Sequence, residues 1–339
     1  MRFQAAKEHL EKIGLSASSW TNISIAAEAL ERNITVERRE NSRFLYLADG
    51  SGKKFRWFAG NNNLNSRLAV RIAKHKQAAS ALLRAYGAPA LENAAFTPDE
   101  ADRAWEWASS FEASVLKPTN GRQGENVHVG IRTREEFIQA FTSIASETNS
   151  DVLVEEFSQG SEHRCLVVKN KFIAATRRRP ASVLGDGTLS IRELIDKKND
   201  DRGRIHKQIK LDTMELRELS RLGYSPDSIP KDGERVYLRA TTNIHTGGDA
   251  IDATDDVTPE EIARIEETAR KIPGAAVIGM DVLLPRAEGD HDLRVIELNL
   301  SPMISMHHFP WEGAPRDAAG AVLDAMFPGS GAAKSVSTK

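Results

Sequence analysis

Apolar and polar positions along the chain follow two periods. After Thr258-Pro259-Glu260-Glu261, the residues Ile262, Ile265, Ala269 and Ile272 fall on one helical face. Phe137, Phe141 and Ile144 do the same after Thr133-Arg134-Glu135-Glu136. Thr97-Pro98-Asp99-Glu100 carries the same signature. In each, a threonine hydroxyl at the N-cap can accept from an orphan amide while the glutamate reaches back to the cap amide, and Pro98 and Pro259 suit the first helical position. Between these helices lie short β-rich runs: Ser114 to Lys117, Asn126 to Ile131, Asp151 to Phe157, Arg164 to Val168, Phe172 to Thr176, Val277 to Leu284 and Leu293 to Leu298. Asn170, between Lys169 and Lys171, marks a tight hairpin.

Strands and helices interleave, so the fold class is mixed α/β. Three regions are expected. Residues 1–72 hold a helix around Ile23-Ala26-Ala27-Leu30 and strands near Phe44 to Leu47 and Phe55 to Phe58. Residues 73–156 form helix, strand, loop, strand, helix and strand. Residues 157–328 form a larger unit with a polar stretch, Gly185 to Gly233, read as a mobile insertion of little β character. Residues 329–339 are Gly, Ser, Ala and Lys with little to bury, and read as a disordered tail.

Charge narrows the function classes. Lys and Arg number 46 and Asp and Glu 48 in 339 residues, a net charge of −2, which argues against a nucleic-acid-binding footprint. No apolar run reaches the roughly 18 residues of a membrane span, and the polar helical start has no signal-peptide core. The expectation is a soluble, cytoplasmic protein with neither nucleic-acid nor membrane partners. One cysteine, Cys165, excludes a disulfide framework and a cysteine-rich zinc module, and reads as a buried inert thiol.

Three stretches carry candidate chemistry. Lys117 closes a strand and is followed by Pro118-Thr119-Asn120-Gly121-Arg122-Gln123-Gly124 and a second strand. Backbone amides of such a loop can cradle phosphates with Lys117 as a point charge, although an ordinary hairpin turn fits the two glycines as well. Asp281 lies inside an apolar strand, and Glu297 and Asn299 share one face of another. Buried carboxylates are costly unless paired or metal-bound. These three hard oxygen donors suit Mg²⁺ completed by phosphate oxygens; structural pairing with arginines is the alternative. Glu155 to Arg164 reads as a hinge that could bind a ligand edge, or as a solvated acidic turn.

Taken in order, Lys-Pro-x-x-Gly-x-x-Gly, Glu-Glu-Phe with Glu-His-Arg downstream, Gly-x-Asp and Glu-x-Asn-x-x-Pro resemble the ATP-grasp fold. Leu184 to Ile195, Lys198-Asn199, Leu222 to Pro230 and Asn243 to Asp252 are similar to cyanophycin synthetases and, more so, to the C-terminal ligase module of bifunctional glutathione synthetases. The likeness runs from about Ser18 to Pro328.

The resemblance implies a pre-ATP-grasp domain followed by two lobes clasping ATP. It implies that Lys76 and Lys117 contact phosphates under a flap of Gly121, Arg122, Gln123 and Gly124. Glu155, Glu156 and Phe157 would line the adenine side, and Glu162 would hold the ribose. Asp281, Glu297 and Asn299 would hold Mg²⁺, for which Mn²⁺ can substitute. Arg178 and Arg239 match positions facing an acyl phosphate or substrate carboxylate, Arg164 falls on the substrate side, and Asn243, Thr246 and Gly247 match the side of the pocket that takes the amine acceptor. The implied activity is ADP-forming ligation of an amino-acid or γ-glutamyl carboxylate to an amino-acid amine, in a homo-oligomer. The alternatives are iterative, cyanophycin-like extension and non-catalytic ATP binding. Arg122, Gln123 and Glu125 depart from the small residues usual in the flap. The Asn61 to Ser66 loop and His245 have no assigned role, and His307-His308 lacks a second ligand set for zinc.

Overall fold

A computed structural model describes residues 1–120, 126–148, 150–239, 242, 244–290 and 292–331, with the backbone alone at His245. The chain opens with α1 (Arg2–Lys12) and α2 (Trp20–Glu31), then β1 (Thr35–Glu37), β2 (Leu45–Ala48), β3 (Lys54–Phe58) and β4 (Asn61–Asn62) in one antiparallel sheet. α2 is buried along nearly its whole length because its face carries Ile23, Ile25, Ala26 and Ala29. These share a core with Leu47 and Trp57, and with Leu166, Val277, Val322 and Phe327 from the far end of the chain. The first 72 residues therefore do not close a core of their own.

After α3 (Arg67–Lys74) and α4 (Lys76–Ala85) comes a second four-stranded sheet. It contains β5 (Asn93–Phe96), β6 (Ser114–Pro118), β7 (His128–Ile131) and β8 (Val152–Glu156), in the order β5-β8-β6-β7, with α5 (Ala101–Ala108) and α6 (Arg134–Thr148) on one face. Residues 73–92, grouped with this lobe by sequence, pack elsewhere. Ala79 and Leu83 of α4 join the core beneath Val295 and Leu298.

The third sheet runs β9 (Ser161–Val168), β10 (Lys171–Arg179), β13 (Asp249–Asp252), β14 (Val277–Leu284) and β15 (Arg294–Asn299), in the order β13-β10-β9-β14-β15. The β9–β10 turn is the expected hairpin, with Lys169 and Asn170 at positive φ. Between β10 and β13 lies the polar stretch. It holds helices and a small core but no strand of its own: β11 (Ser182–Leu184) and β12 (Arg235–Tyr237) pair at its two ends, and α7 (Ile191–Asp200) and α8 (Thr213–Arg221) close a core of Ile191, Leu194, Ile195, Ile209, Leu219 and Val236. Met214, Leu216, Leu222 and Ile229 of the same stretch stay exposed. α9 (Pro259–Arg270), α10 (Ser305–His308) and α11 (Ala318–Met326) complete the chain.

The capping boxes at Thr258 and Thr133 form. The one at Thr97 does not, because its hydroxyl donates to Asp99 and Glu100 instead of accepting, and α5 starts later, at Ala101. Among the described residues no helix is long and apolar enough to cross a membrane.

Candidate active site

Backbone register alone lines up a row of side chains across the large sheet. Arg164 on β9 is opposite Thr176 on β10 and Asp281 on β14, and Asp281 is opposite Glu297 on β15. Laterally paired residues share a face, so Thr176, Arg164, Asp281 and Glu297 project together. Asn299, two residues beyond Glu297 and opposite Gly279, extends the same face.

Asp281 is 6% exposed and Arg164 8%. The guanidinium grips both carboxylate oxygens, through Nε to Oδ1 and through Nη2 to Oδ2 at 2.7 Å. Burial pushes the Asp281 carboxyl up, but the charge of Arg164 outweighs it and the group stays below the usual range. Gly279 makes this possible. A Cβ there would lie 3.3 Å from Arg164 Cδ and 2.9 Å from Pro302 Cβ. Arg164, expected on the substrate side, is therefore a buried partner of Asp281.

Arg178 bonds Glu162 and lies 3.6 Å from Asp281. Lys76, at the start of α4, sits 3.2 Å from Glu297. In the smaller sheet, Lys117 and Glu155 are diagonal neighbours on β6 and β8 and form a nearly buried ion pair. These residues, singled out by sequence, thus meet one another in complementary pairs. Asn299 accepts from the Ser301 amide at 2.8 Å.

Other expectations are redirected. Glu156 points away from Lys117 and accepts from the Glu92 amide, beside Arg84 and Arg264 in an outer cleft. The Phe157 amide is taken by the Ala113 carbonyl, so it is not free for adenine. Arg239 is tied to Glu215 and Asp212 at the start of α8, not to the Asp281 row. Thr246 and Gly247 lie at the end of a 3-10 turn, Ile244–Thr246, just before β13. Gly121, Arg122, Gln123, Gly124, Glu125 and Asn243, the His245 side chain and the tail beyond 331 lie outside the described residues.

Sequence reasoning left the Asn61 to Ser66 loop unassigned. Asn65 is its structural key: its side chain donates to the Val277 and Leu300 carbonyls at 2.9 Å and accepts from the Ala276 and Val277 amides, tying the loop to the ends of β14 and β15. A buried asparagine satisfied four times over has no signature in a single sequence. His307 and His308 are buried and bond Thr176 and the Ala319 amide, respectively. Cys165 is buried and its thiol is pushed up by burial, which agrees with an inert role.

Among the described residues, no group of three or more His, Cys, Asp or Glu side chains is arranged to hold a metal. Asp281, Glu297 and Asn299 offer two carboxylates and an amide on one face. That set of hard oxygens fits Mg²⁺ only with phosphate or water oxygens completing the shell.

No protein-family model matches the chain. It is 33% identical over 315 residues to the cyanophycin synthetase of Trichormus variabilis, covering 90% of this chain and 34% of that protein. To the glutathione biosynthesis bifunctional protein of Clostridium perfringens it is 34% identical over 323 residues, covering 88% of this chain and 40% of the relative. The crystal structure of a bifunctional glutathione synthetase from Pasteurella multocida superposes with a TM-score of 0.73 at 31% identity, over 93% of this chain and 44% of that one. The chain thus spans roughly a third to two-fifths of its curated relatives. It has the ATP-grasp fold and is related, along about nine-tenths of its length, to one portion of the cyanophycin synthetases and of the bifunctional glutathione synthetases.

Proposed function

We propose that this chain is an ADP-forming carboxylate–amine ligase that joins an amino-acid or γ-glutamyl carboxylate to the amine of an amino acid. The observation that carries this reading is the row Arg164–Asp281–Glu297 with Lys76 and Arg178 at its flanks. It places oxygen donors and cations on one face, as a polyphosphate and its counter-ion require.

In the proposed reaction a substrate carboxylate oxygen attacks the γ-phosphorus, the bond to the β–γ bridging oxygen breaks, and ADP leaves. The amine then attacks the acyl carbon and gives up a proton. The acyl carbon–oxygen bond breaks and releases inorganic phosphate. Asp281, Glu297 and Asn299 would hold Mg²⁺, which supplies charge neutralisation for the transferring phosphoryl group. Lys76, Lys117 and Arg178 would orient the phosphates and stabilise developing charge. No nucleophilic Ser, Cys or Lys is required.

The pre-ATP-grasp role of residues 1–72, two clasping lobes (93–156, and 157–328 together with residues 73–92), a cytoplasmic site of action with amino-acid or short-peptide substrates, and homo-oligomerisation belong to the same proposal.

The test is a screen of carboxylate and amine pairs for Mg²⁺-dependent ADP release, with products identified by mass spectrometry. One condensed product is expected. A ladder of product lengths would instead favour iterative extension, and nucleotide binding with no ADP release for any pair would contradict ligation.

A further inference from the structure

Asp249, the first residue of β13, has no exposed side-chain surface and gathers three cations. Arg202 Nη1 donates to Oδ1 at 2.7 Å, Lys198 Nζ to Oδ2 at 2.8 Å and Arg179 Nη2 to Oδ2 at 3.2 Å. They come from different segments: Arg179 from β10, Lys198 from α7, and Arg202 from the turn after α7. Burial alone would raise the Asp249 carboxyl; Lys198 and Arg202 reverse that and hold it low. Arg178 and Arg179 are adjacent on a strand and so face opposite ways. Arg178 reaches Glu162 and Asp281, which puts the Asp249 cluster on the other side of β10 from the candidate active site.

The cluster grips one turn. Arg202 Nη2 donates to the carbonyls of both Gly247 and Gly248 at 2.8 Å. Asn199 exchanges two hydrogen bonds with the Ile209 backbone, each 2.8 Å. Ile209 in turn packs on Gly247: a Cβ at Gly247, whose φ is +92°, would lie 3.0 Å from Ile209 Cγ1 and 3.3 Å from Ala181 Cβ. Trp311 closes the cluster, with Lys198 and Arg202 each 5.2 Å from its ring and its amide on the Ala250 carbonyl. The Lys198-Asn199 pair thus has a structural task that phosphate chemistry does not explain.

We infer that Lys198, Asn199, Arg202 and Asp249 are positioning residues that fix the 246–248 turn and, through it, the side of the pocket that receives the amine. The functional half of this inference rests on the ligase reading; the positioning half does not.

Replacing Asp249 would strand Lys198 and Arg202 in the interior, since only Arg179 has a second carboxylate partner, Glu312. Arg202→Met is the better probe, because Lys198 and Arg179 still neutralise Asp249. Asn199→Ala is the second variant and removes no charge. Hydroxylamine, a small nucleophile with no side chain to orient, reports carboxylate activation alone. In both variants, hydroxylamine-supported ADP release and the Kd of the ATP analogue AMP-PNP are expected to match wild type. The KM of the amino-acid acceptor found in the screen should rise about tenfold or more. Hydrogen exchange at residues 244–250 should quicken about tenfold. An unchanged acceptor KM, or hydroxylamine turnover that falls in step with amino-acid turnover, overturns the acceptor role. Unchanged exchange at 244–250 overturns the positioning itself. If wild-type protein releases ADP with no pair at all, the ligase reading and the acceptor role fail together, and faster exchange in the variants still supports the positioning.

Discussion

Lys76 and Glu297 face each other across 3.2 Å, one at the first residue of α4 and the other on β15. Under the proposed function, both meet the nucleotide, so its binding exchanges this ion pair for a phosphate on Lys76 and a metal on Glu297. The pair is about a third exposed and contributes little to stability. Lys76→Met is therefore expected to leave the thermal midpoint within a few degrees of wild type while weakening AMP-PNP binding about tenfold, read by titration calorimetry. Unchanged nucleotide affinity would remove Lys76 from the site.

Lys117 and Glu155 form a tighter pair in the smaller sheet, where little of either side chain is exposed. Lys117→Met leaves a buried carboxylate without its partner, so a loss of about 1–3 kcal/mol in urea unfolding is expected along with weaker nucleotide binding. Lys117→Met combined with Glu155→Gln should recover most of the stability and none of the affinity. Recovery of both would make the lysine purely structural.

The residues that could be read in the sequence are those whose types carry the chemistry. Asp281, Glu297 and Asn299 stand out as polar groups inside apolar strands, and the strands hold them on one face. The Thr258 and Thr133 boxes were legible because a cap is a local interaction. Partners distant in sequence were not: Arg164 reaching Asp281 over Gly279, Asn65 tying the ends of two strands, and Asp249 collecting cations from three segments all depend on register and topology. The core inside the Gly185 to Gly233 stretch, read from composition as a mobile insertion, was not legible because a few apolar residues spread along a polar segment build it.

Gly279 can be tested separately from the ionisable groups. Gly279→Ala sets a Cβ against Pro302 Cβ and the Arg164 side chain. Something must shift, and an expected loss of about 1–3 kcal/mol follows from overpacking. Because Arg164 holds Asp281, Mg²⁺-dependent nucleotide binding should weaken as well. Wild-type stability and binding together would show that the path of Arg164 is unimportant.

Acid should destabilise the fold through buried histidines. Burial pushes His308 down to about 4, and its Nε2 accepts the Ala319 amide at 2.9 Å, which requires a bare nitrogen there. His206, which accepts from the Ala250 amide, is also lowered to about 4, by burial and then by Arg202. The unfolded chain takes up protons near pH 6.5 and the folded chain resists until about 4. Their stabilising contribution is therefore complete above pH 6.5 and is lost progressively as pH falls from there toward the folded values near 4. Each histidine accounts for about 2 kcal/mol between pH 7 and 5. Denaturant unfolding of His308→Gln should show that much less difference between the two pH values. An equal difference in wild type and variant would contradict the assignment.

The most direct measurement is diffraction from crystals grown with Mn²⁺ and AMP-PNP, using the anomalous signal to locate the metal. The expected result is an ion about 2.1 Å from oxygens of Asp281 and Glu297, with phosphate oxygens completing its shell and Lys76 released from Glu297. Bound nucleotide elsewhere on the molecule, with Asp281 still held only by arginines and no metal signal beside Glu297, would contradict the proposed function.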